Sequence, residues 1–139
     1  MKPEQLANLH ALCFETPRPW NAEEFRSLLN DNTVYLFEKA HGFALGRVAA
    51  GEAELLTLAV DTGWQRQGIG SDLLRAFEQT AATKGATVSF LEVSALNRAA
   101  LALYASAGYS ESGRRPNYYR TSEGHRIDAV VMSKSLLTQ

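Results

Sequence analysis

The hydrophobic pattern of the chain alternates between two periods. Apolar residues spaced three to four positions apart predict helices over residues 3–14, 21–31, 69–85 and 97–108. Short apolar or alternating runs predict strands over residues 33–40, 42–51, 52–61, 87–93, 109–120 and 126–136. The predicted order is therefore α-α-β-β-β-α-β-α-β-β.

Capping residues support these helix boundaries. Asn21 can cap the second helix, with Glu24 three residues further on, and Asn97 can cap the fourth. Gly85 and Gly108 follow the last turns of the third and fourth helices, where a left-handed backbone often ends a helix.

The order of the elements predicts the fold class. A helix between strands in the middle of the chain implies a crossover and at least one parallel strand pair. Hairpins near residues 41–42 and at residues 121–125 imply antiparallel edges. We expect a mixed α/β fold with a mostly antiparallel central sheet and helices on both faces. Its length suits one domain over residues 1–139.

Composition and charge give no sign of several classes of ligand, cross-link and membrane segment. The net charge is -1, from 14 basic and 15 acidic residues, so no basic excess predicts direct nucleic-acid binding. Cys13 is the only cysteine, which excludes an internal disulfide and indicates a reducing, cytoplasmic setting. The scattered His10, His41 and His125 predict no metal site. No apolar run reaches the roughly 18 residues of a membrane span.

The segment WQRQGIGSDLL, residues 64–74, places two glycines between a predicted strand and a helix. It lacks the lysine of a Walker loop, and Leu73 stands where a dinucleotide loop needs its third glycine. Free N–H groups at the helix start would suit an anion, with Arg66 beside them. Gly68 and Gly70 would leave room for a pyrophosphate. A plain strand-to-helix turn is the alternative interpretation.

Two titratable residues after this loop are candidates for proton transfer. Glu92 is the only charge in a strand of buried type, and a buried carboxylate without a partner is suited to be a general base. The alternative is a carboxylate solvated at the end of its strand. Tyr104 shares a helix face with apolar residues, so it is either a core aromatic or a proton donor. Glu54 is a rival base, expected far from the reacting end of its strand.

Three stretches together carry a family resemblance. LAVDTGWQRQGIGSDLL, LEVSALNRAALALYASAGY and RRPNYY closely resemble the GCN5-related N-acetyltransferase (GNAT) superfamily, from about residue 19 to residue 132. Within it they are most similar to the ribosomal-protein-alanine N-acetyltransferase (RimI-type) group. The resemblance implies the GNAT fold, and this chain opens almost directly on a helix, so the fold's usual first strand is expected to be short or missing.

The resemblance implies acetyl-CoA as the donor, with no metal and no acyl-enzyme. Glu92 would be the general base, acting through water, and Tyr104 the general acid that protonates the leaving thiolate. The backbone of Leu58, Ala59 and Val60 would bind the acetyl-pantetheine arm like an added strand. The remaining contacts to the cofactor, most of them to its pyrophosphate, would come from Arg66, Gln67, Gly68, Ile69, Gly70, Ser71 and Asn97.

The acceptor implied by the resemblance is the N-terminal α-amine of a protein, with a ribosomal protein as a candidate. A small-amine acetyltransferase and a non-catalytic acyl-CoA-binding module are the alternatives. Pro116, inside the RRPNYY stretch, and Arg120 depart from the group's pattern near the expected acceptor site. A short or missing first strand would expose a sheet edge, so the protein is expected to be a monomer or a homodimer, which light scattering distinguishes.

Overall fold

A computed structural model describes residues 1–137, and the last two residues of the predicted domain lie outside the described part. The helices are α1 (Pro3–Cys13), α2 (Ala22–Leu29), α3 (Ile69–Thr83) and α4 (Arg98–Ser106), with a short 3-10 helix at Thr62–Trp64. The strands are β1 (Val34–Lys39), β2 (Gly42–Ala49), β3 (Glu52–Val60), β4 (Val88–Ser94), β5 (Ser110–Arg120) and β6 (Arg126–Ser135). The predicted element order is confirmed, and within residues 1–137 no strand precedes α1.

The strands form one six-stranded sheet in the order β1-β2-β3-β4-β6-β5. Only the β3–β4 pair of this sheet is parallel, which confirms the mixed, mostly antiparallel fold class. Helices α3 and α4 pack on one face, where the α3 side chains Leu73, Leu74 and Phe77 are buried. Helices α1 and α2 cover the other face through Leu6 and Phe25.

The predicted caps are present. The Asn21 side chain accepts a hydrogen bond from the Glu24 N–H at 2.9 Å, and the Glu24 carboxylate accepts from the Asn21 N–H at 3.1 Å. The Asn97 side chain accepts from the Ala100 N–H at 3.2 Å. Gly85 and Gly108 have φ angles of 91° and 100° just beyond α3 and α4. These left-handed positions end both helices where the glycine pattern predicts.

One extra residue in β3 changes which face its side chains occupy. Leu45 of β2 pairs with Thr57 and Gly46 pairs with Leu55, so Leu56 has no partner on β2. Such a bulge bends a strand and reverses the alternation of its side chains. Before it, Leu55 packs in the core under α3 and α4, and after it, Thr57 contacts α1.

The parallel pairing of β3 with β4 ends at the same point. Leu55 and Leu91 are the last partners, and residues 56–60 and 92–94 continue without pairing to each other. The two strands therefore diverge over their C-terminal ends. In sheets with parallel strands, ligands gather at these ends, and here the divergence leaves a gap through the sheet.

His10 fastens α1 to the diverging part of β3. Its ring is 2% exposed, and it is stacked on Phe14 with ring centroids 4.3 Å apart. Nδ1 accepts a hydrogen bond from the Trp20 N–H at 3.0 Å, so the neutral ring carries its hydrogen on Nε2, 2.9 Å from Thr57 Oγ1. Burial lowers the pKa of His10 to about 4, against a weaker opposing influence of the Glu24 charge.

We predict that this histidine makes the protein less stable in mild acid. Because the folded pKa lies below the unfolded value of 6.5, the unfolded chain binds a proton first as the pH falls. The contribution is complete above about pH 6.5 and is lost towards pH 4, by at most about 3 kcal/mol. Urea unfolding at several pH values measures it.

The His10→Gln variant is the control for this effect. Carboxylates titrate in both proteins, so the difference between wild type and variant isolates the imidazole. An identical dependence of unfolding free energy on pH in both proteins would contradict the assignment.

Candidate active site

A cleft of about 940 Å³ lies where β3 and β4 diverge. The ends of both strands, the start of α3 and one side of α4 line it, together with α1 and the loop after α1. Of the twelve predicted site residues, all but Gln67 line this cleft. Gln67 is exposed and does not line the cleft. The structure thus brings the predicted residues together, while their individual roles stay predictions.

The start of α3 differs from the starts of the other helices that border the gap. Gly68 is its N-cap residue with φ 83°, and no side chain of residues 1–137 caps it. The first intrahelical bond runs from the Asp72 N–H to the Gly68 carbonyl at 3.0 Å. The N–H groups before it are free of helix partners, and they belong to Ile69, Gly70 and Ser71. This positive helix end is suited to bind an anion.

The loop before α3 has backbone φ angles that residues other than glycine rarely adopt. Arg66 has φ 64° and Gly68 has φ 83°, both in the left-handed region. A Cβ on Gly68 would meet no atom within 4 Å, so the position requires glycine for its backbone angle and not for packing. Alternating backbone conformations of this kind turn successive N–H groups towards one point, as in anion-binding nests.

Gly70 has a packing role that the sequence did not predict. A Cβ there would lie 3.2 Å from Leu103 Cδ2 and 3.7 Å from Leu58 Cδ2. The missing side chain therefore allows α3 to approach α4 and β3 closely, while the room it would leave for a pyrophosphate stays a prediction. The Gly70 N–H remains a predicted anion ligand.

The predicted pantetheine strip, residues 58–60, lies in the part of β3 that pairs with β2 but no longer with β4. Its side chains anchor it on both faces of the sheet, because Leu58 packs on the α3–α4 core and Ala59 on the α1–α2 core. The Val60 carbonyl accepts hydrogen bonds from Cys13 Sγ and Gln65 Nε2, each at 3.2 Å. The strip is therefore held rigidly while its edge faces the cleft.

Tyr104 is both a core residue and a cleft residue. It is 7% exposed and packs edge-on against Tyr109, with ring centroids 6.1 Å apart. Its hydroxyl forms no hydrogen bond within residues 1–137, and burial raises the pKa of the phenol well above its usual value. The phenol therefore keeps its proton at neutral pH and can donate it to a bound group.

Glu92 is not the isolated buried carboxylate that the sequence suggests. Its side chain is 26% exposed, and its Oε2 lies 3.2 Å from Arg115 Nε. The expectation of an unpartnered charge was wrong, because β6 brings β5 within reach of β4. The Arg115 guanidinium also lies over the Tyr118 ring, 5.1 Å from its centroid. Burial, followed by the nearby Glu92 charge, raises the pKa of Tyr119 to about 12.

Glu54 lines the same cleft, although it lies near the start of β3, as expected, and not at the C-terminal end of that strand. Burial raises the pKa of its carboxyl, the Arg47 charge lowers it, and the Glu92 charge raises it. The nearest Arg47 nitrogen is 3.9 Å away. The cleft thus contains two carboxylates on neighbouring strands.

The wall formed by α1 and its following loop was not predicted. The side chains that line it there are His10, Cys13, Phe14, Thr16, Pro17 and Trp20. Burial raises the pKa of the Cys13 thiol, which disfavours the reactive thiolate. The apolar and proline-rich run from residue 12 to residue 20 is the only sequence signal for this wall.

Trp64 and Pro116, whose roles the sequence left open, have structural explanations. Trp64 stacks on His41 with ring centroids 3.8 Å apart and an interplanar angle of 4°, at the rim of the cleft. Pro116 lies in a second bulge, between the Arg115 and Tyr119 pairs of β5 with β6, where its missing N–H breaks no regular ladder. Arg120 pairs with Arg126 at the hairpin end and does not line the cleft.

Residues 1–137 contain no group of three or more histidine, cysteine, aspartate or glutamate side chains that could hold a metal ion. In the same range, no helix is long and apolar enough to cross a membrane.

We predict that Gly68→Ala weakens binding of CoA. An alanine at this left-handed position costs about 1 kcal/mol and turns the N–H groups of the first α3 turn away from a common point. Loss of one charge-assisted hydrogen bond lowers affinity by at least about tenfold, which calorimetry with CoA measures. Gly124→Ala, at φ 86° in the β5–β6 turn, is the matched control and should bind CoA normally. Equal affinities for the two variants would rule out the anion site.

Comparison with known proteins agrees with this geometry. Residues 4–109 match the Acetyltransferase (GNAT) family. The ribosomal protein bS18-alanine N-acetyltransferase of Escherichia coli (strain K12) is 40% identical over 121 residues, covering 83% of this chain and 80% of that protein. The N-alpha-acetyltransferase RimI of Mycobacterium tuberculosis is 37% identical over 140 residues, covering 94% and 85%.

The same relationship holds in three dimensions. The crystal structure of the ribosomal-protein-S18-alanine N-acetyltransferase from Escherichia coli matches with a TM-score of 0.83 and 32% identity, covering 96% of this chain and 86% of that one. The uncapped α3 start and the divergence of β3 from β4 lie within the family match. The chain therefore belongs to the GNAT family of acetyltransferases.

Proposed function

We propose that this protein is an acetyl-CoA-dependent N-acetyltransferase that acetylates the N-terminal α-amine of a protein. The observation that carries the proposal is the cleft between the diverging strands β3 and β4. An anion-binding helix end borders it, and two carboxylates and an aromatic wall line it. The relatives that are named for acting on the alanine of a ribosomal protein support this acceptor, with a ribosomal protein as the specific candidate.

The donor half of the proposal uses backbone groups. The free N–H groups at the start of α3 bind the pyrophosphate of CoA, with Arg66 adding positive charge. The edge of residues 58–60 pairs with the amides of the pantetheine arm as a neighbouring strand would. Asn97, which caps α4 at the cleft wall, contacts the cofactor from the other side.

The acceptor half uses Glu92 and Tyr104. Glu92 accepts a proton from the acceptor ammonium through water, and the freed amine attacks the thioester carbonyl. The backbone N–H near Val60 stabilises the negative oxygen. As the carbon–sulfur bond breaks, Tyr104 donates its phenolic proton to the sulfur. The nitrogen gives up a second proton as the amide forms, and that proton restores the phenol.

The shape of the acceptor side favours a peptide over a small amine. Phe14, Trp20, Tyr118 and Tyr119 all line the cleft, and such a surface offers contacts for several residues of a chain. A small amine would leave most of it uncovered. A non-catalytic acyl-CoA-binding module would need neither the Glu92 carboxylate nor the protonated Tyr104 phenol at the site.

The wider setting forms part of the same proposal. We infer one catalytic domain over the chain, which acts in the cytoplasm as a monomer or a homodimer. The single cysteine supports the reducing compartment. The exposed strands β1 and β5 at the two sheet edges support the possibility of self-association.

The acceptor is tested by offering peptides and small amines side by side with acetyl-CoA. We expect mass spectrometry to find one acetyl group on the N-termini of peptides that begin with Ala, Ser or Thr. Polyamines, free amino acids and aminoglycosides should react far more slowly. Failure on every peptide together with transfer to a small amine would overturn the protein-acceptor proposal.

The base is tested by Glu92→Gln. We expect kcat to fall by about 10²- to 10⁴-fold, the usual contribution of general base catalysis, while CoA affinity stays at the wild-type value. Glu54→Gln is the matched control, since it makes the same change on the neighbouring strand and should keep most of the activity. Full activity of Glu92→Gln with loss in Glu54→Gln would transfer the role to Glu54.

A further inference from the structure

Arg115 forms an ion pair with the Glu92 carboxylate at the side of the cleft proposed for the acceptor. It reaches there from β5 across β6, where its pairing partner is the small, fully buried Ala129. The ion pair uses Nε, at 3.2 Å from Glu92 Oε2, and the guanidinium rests over the Tyr118 ring. The arginine side chain is 57% exposed, so it is free to move away from Glu92.

The position of Arg115 is set by the bulge in β5, residues 116–118. Asp128 of β6 stands opposite this bulge and accepts hydrogen bonds from the Asn117 N–H at 2.9 Å and Arg114 Nη1 at 3.1 Å. Asn117 takes the left-handed conformation, with φ 54°. The Asp128 carbonyl also accepts from the Ala95 N–H at 3.0 Å, just beyond β4. One residue therefore ties the bulge to the strand that carries Glu92.

We propose that Arg115 is a specificity-determining residue that holds the place of the acceptor ammonium on Glu92. The inference rests on the proposed function, in which Glu92 receives the acceptor amine. When a peptide enters, its ammonium and the bridging water replace the guanidinium at the Glu92 carboxylate, and the guanidinium turns to a main-chain carbonyl beyond the first residue of the same peptide. A small amine has no such carbonyl. When it displaces Arg115 from Glu92, the guanidinium gains no new hydrogen-bond acceptor.

The physical basis is competition between two cations for one carboxylate. Arg115 is tethered beside Glu92, and an intramolecular group competes at an effective concentration in the millimolar range. A partly exposed ion pair and a cation–π contact together weaken a competing small amine by about five- to tenfold. A peptide acceptor regains this affinity, because its carbonyl oxygen accepts hydrogen bonds from the displaced guanidinium. Arg115 thus selects against the wrong acceptor rather than for the right one.

The test compares Arg115→Gln with wild type on two acceptors, an alanine-initiated heptapeptide and alaninamide. We expect kcat/KM for alaninamide to rise about five- to tenfold, through a lower KM. For the peptide, kcat/KM should stay within about twofold, because release of Glu92 and loss of the carbonyl contact offset each other. Arg120→Gln makes the same charge change at the end of β5, outside the cleft, and should leave both values unchanged.

An equal change in kcat/KM for both acceptors, or a fall for alaninamide, would overturn the proposal. So would loss of transfer to both acceptors in a variant with a native circular dichroism spectrum. Arg115→Lys keeps the cation but loses the planar set of donors, so it should still exclude alaninamide while reacting more slowly with the peptide.

The proposed function fails in a different way. It is overturned when wild-type protein acetylates no peptide, or when Glu92→Gln keeps full activity. Neither result depends on the ratio of the two acceptors in Arg115→Gln.

Discussion

The rest of the site depends on the bulge at Leu56, the residue of β3 that has no pairing partner on β2. A bulge in the middle of a central strand disturbs the ladder, and the sheet tolerates it here because the flanking pairs with β2 resume on both sides. It reverses the alternation of the β3 side chains, so that odd-numbered positions change from the α3–α4 core at Leu55 to the α1–α2 core at Ala59. The strand bends away from β4, and the backbone becomes accessible where a regular sheet would bury it.

Both faces of the sheet must hold this opening. On one face, His10 binds Thr57 and the loop that ends at Trp20, which keeps α1 against the bent strand. On the other face, the absence of a side chain at Gly70 lets α3 lie close to Leu103 of α4. Contacts within the chain therefore hold both walls of the gap.

Much of the fold could be read from the sequence, because its signals are local. Helix faces, the Asn21 and Asn97 caps and the glycines at helix ends all act within a few residues. The bulge at Leu56 has no such signal, since the run LLTL is apolar on both faces and fits either register. The predicted order of elements does not reveal where β3 leaves β4.

The candidate site likewise combines residues that have a local sequence signal with contacts that have none. The helix start at Gly68 and the carboxylate on β4 were found because each follows a local pattern. The Arg115–Glu92 ion pair joins residues on strands that are not neighbours, and it depends on a bulge opposite Asp128. Pro116 indicated an irregularity in this part of β5, but a proline alone does not predict which side chain a bulge redirects.

Both tryptophans of the chain, Trp20 and Trp64, line the cleft, one on the α1 side and one before the α3 loop. Each also stacks on a histidine, Trp20 on His10 and Trp64 on His41. The intrinsic tryptophan fluorescence of the folded protein thus arises entirely from the walls of the cleft. The chain carries its own optical probe of cleft occupancy, with one emitter beside the loop proposed for the donor and one beside the wall proposed for the acceptor.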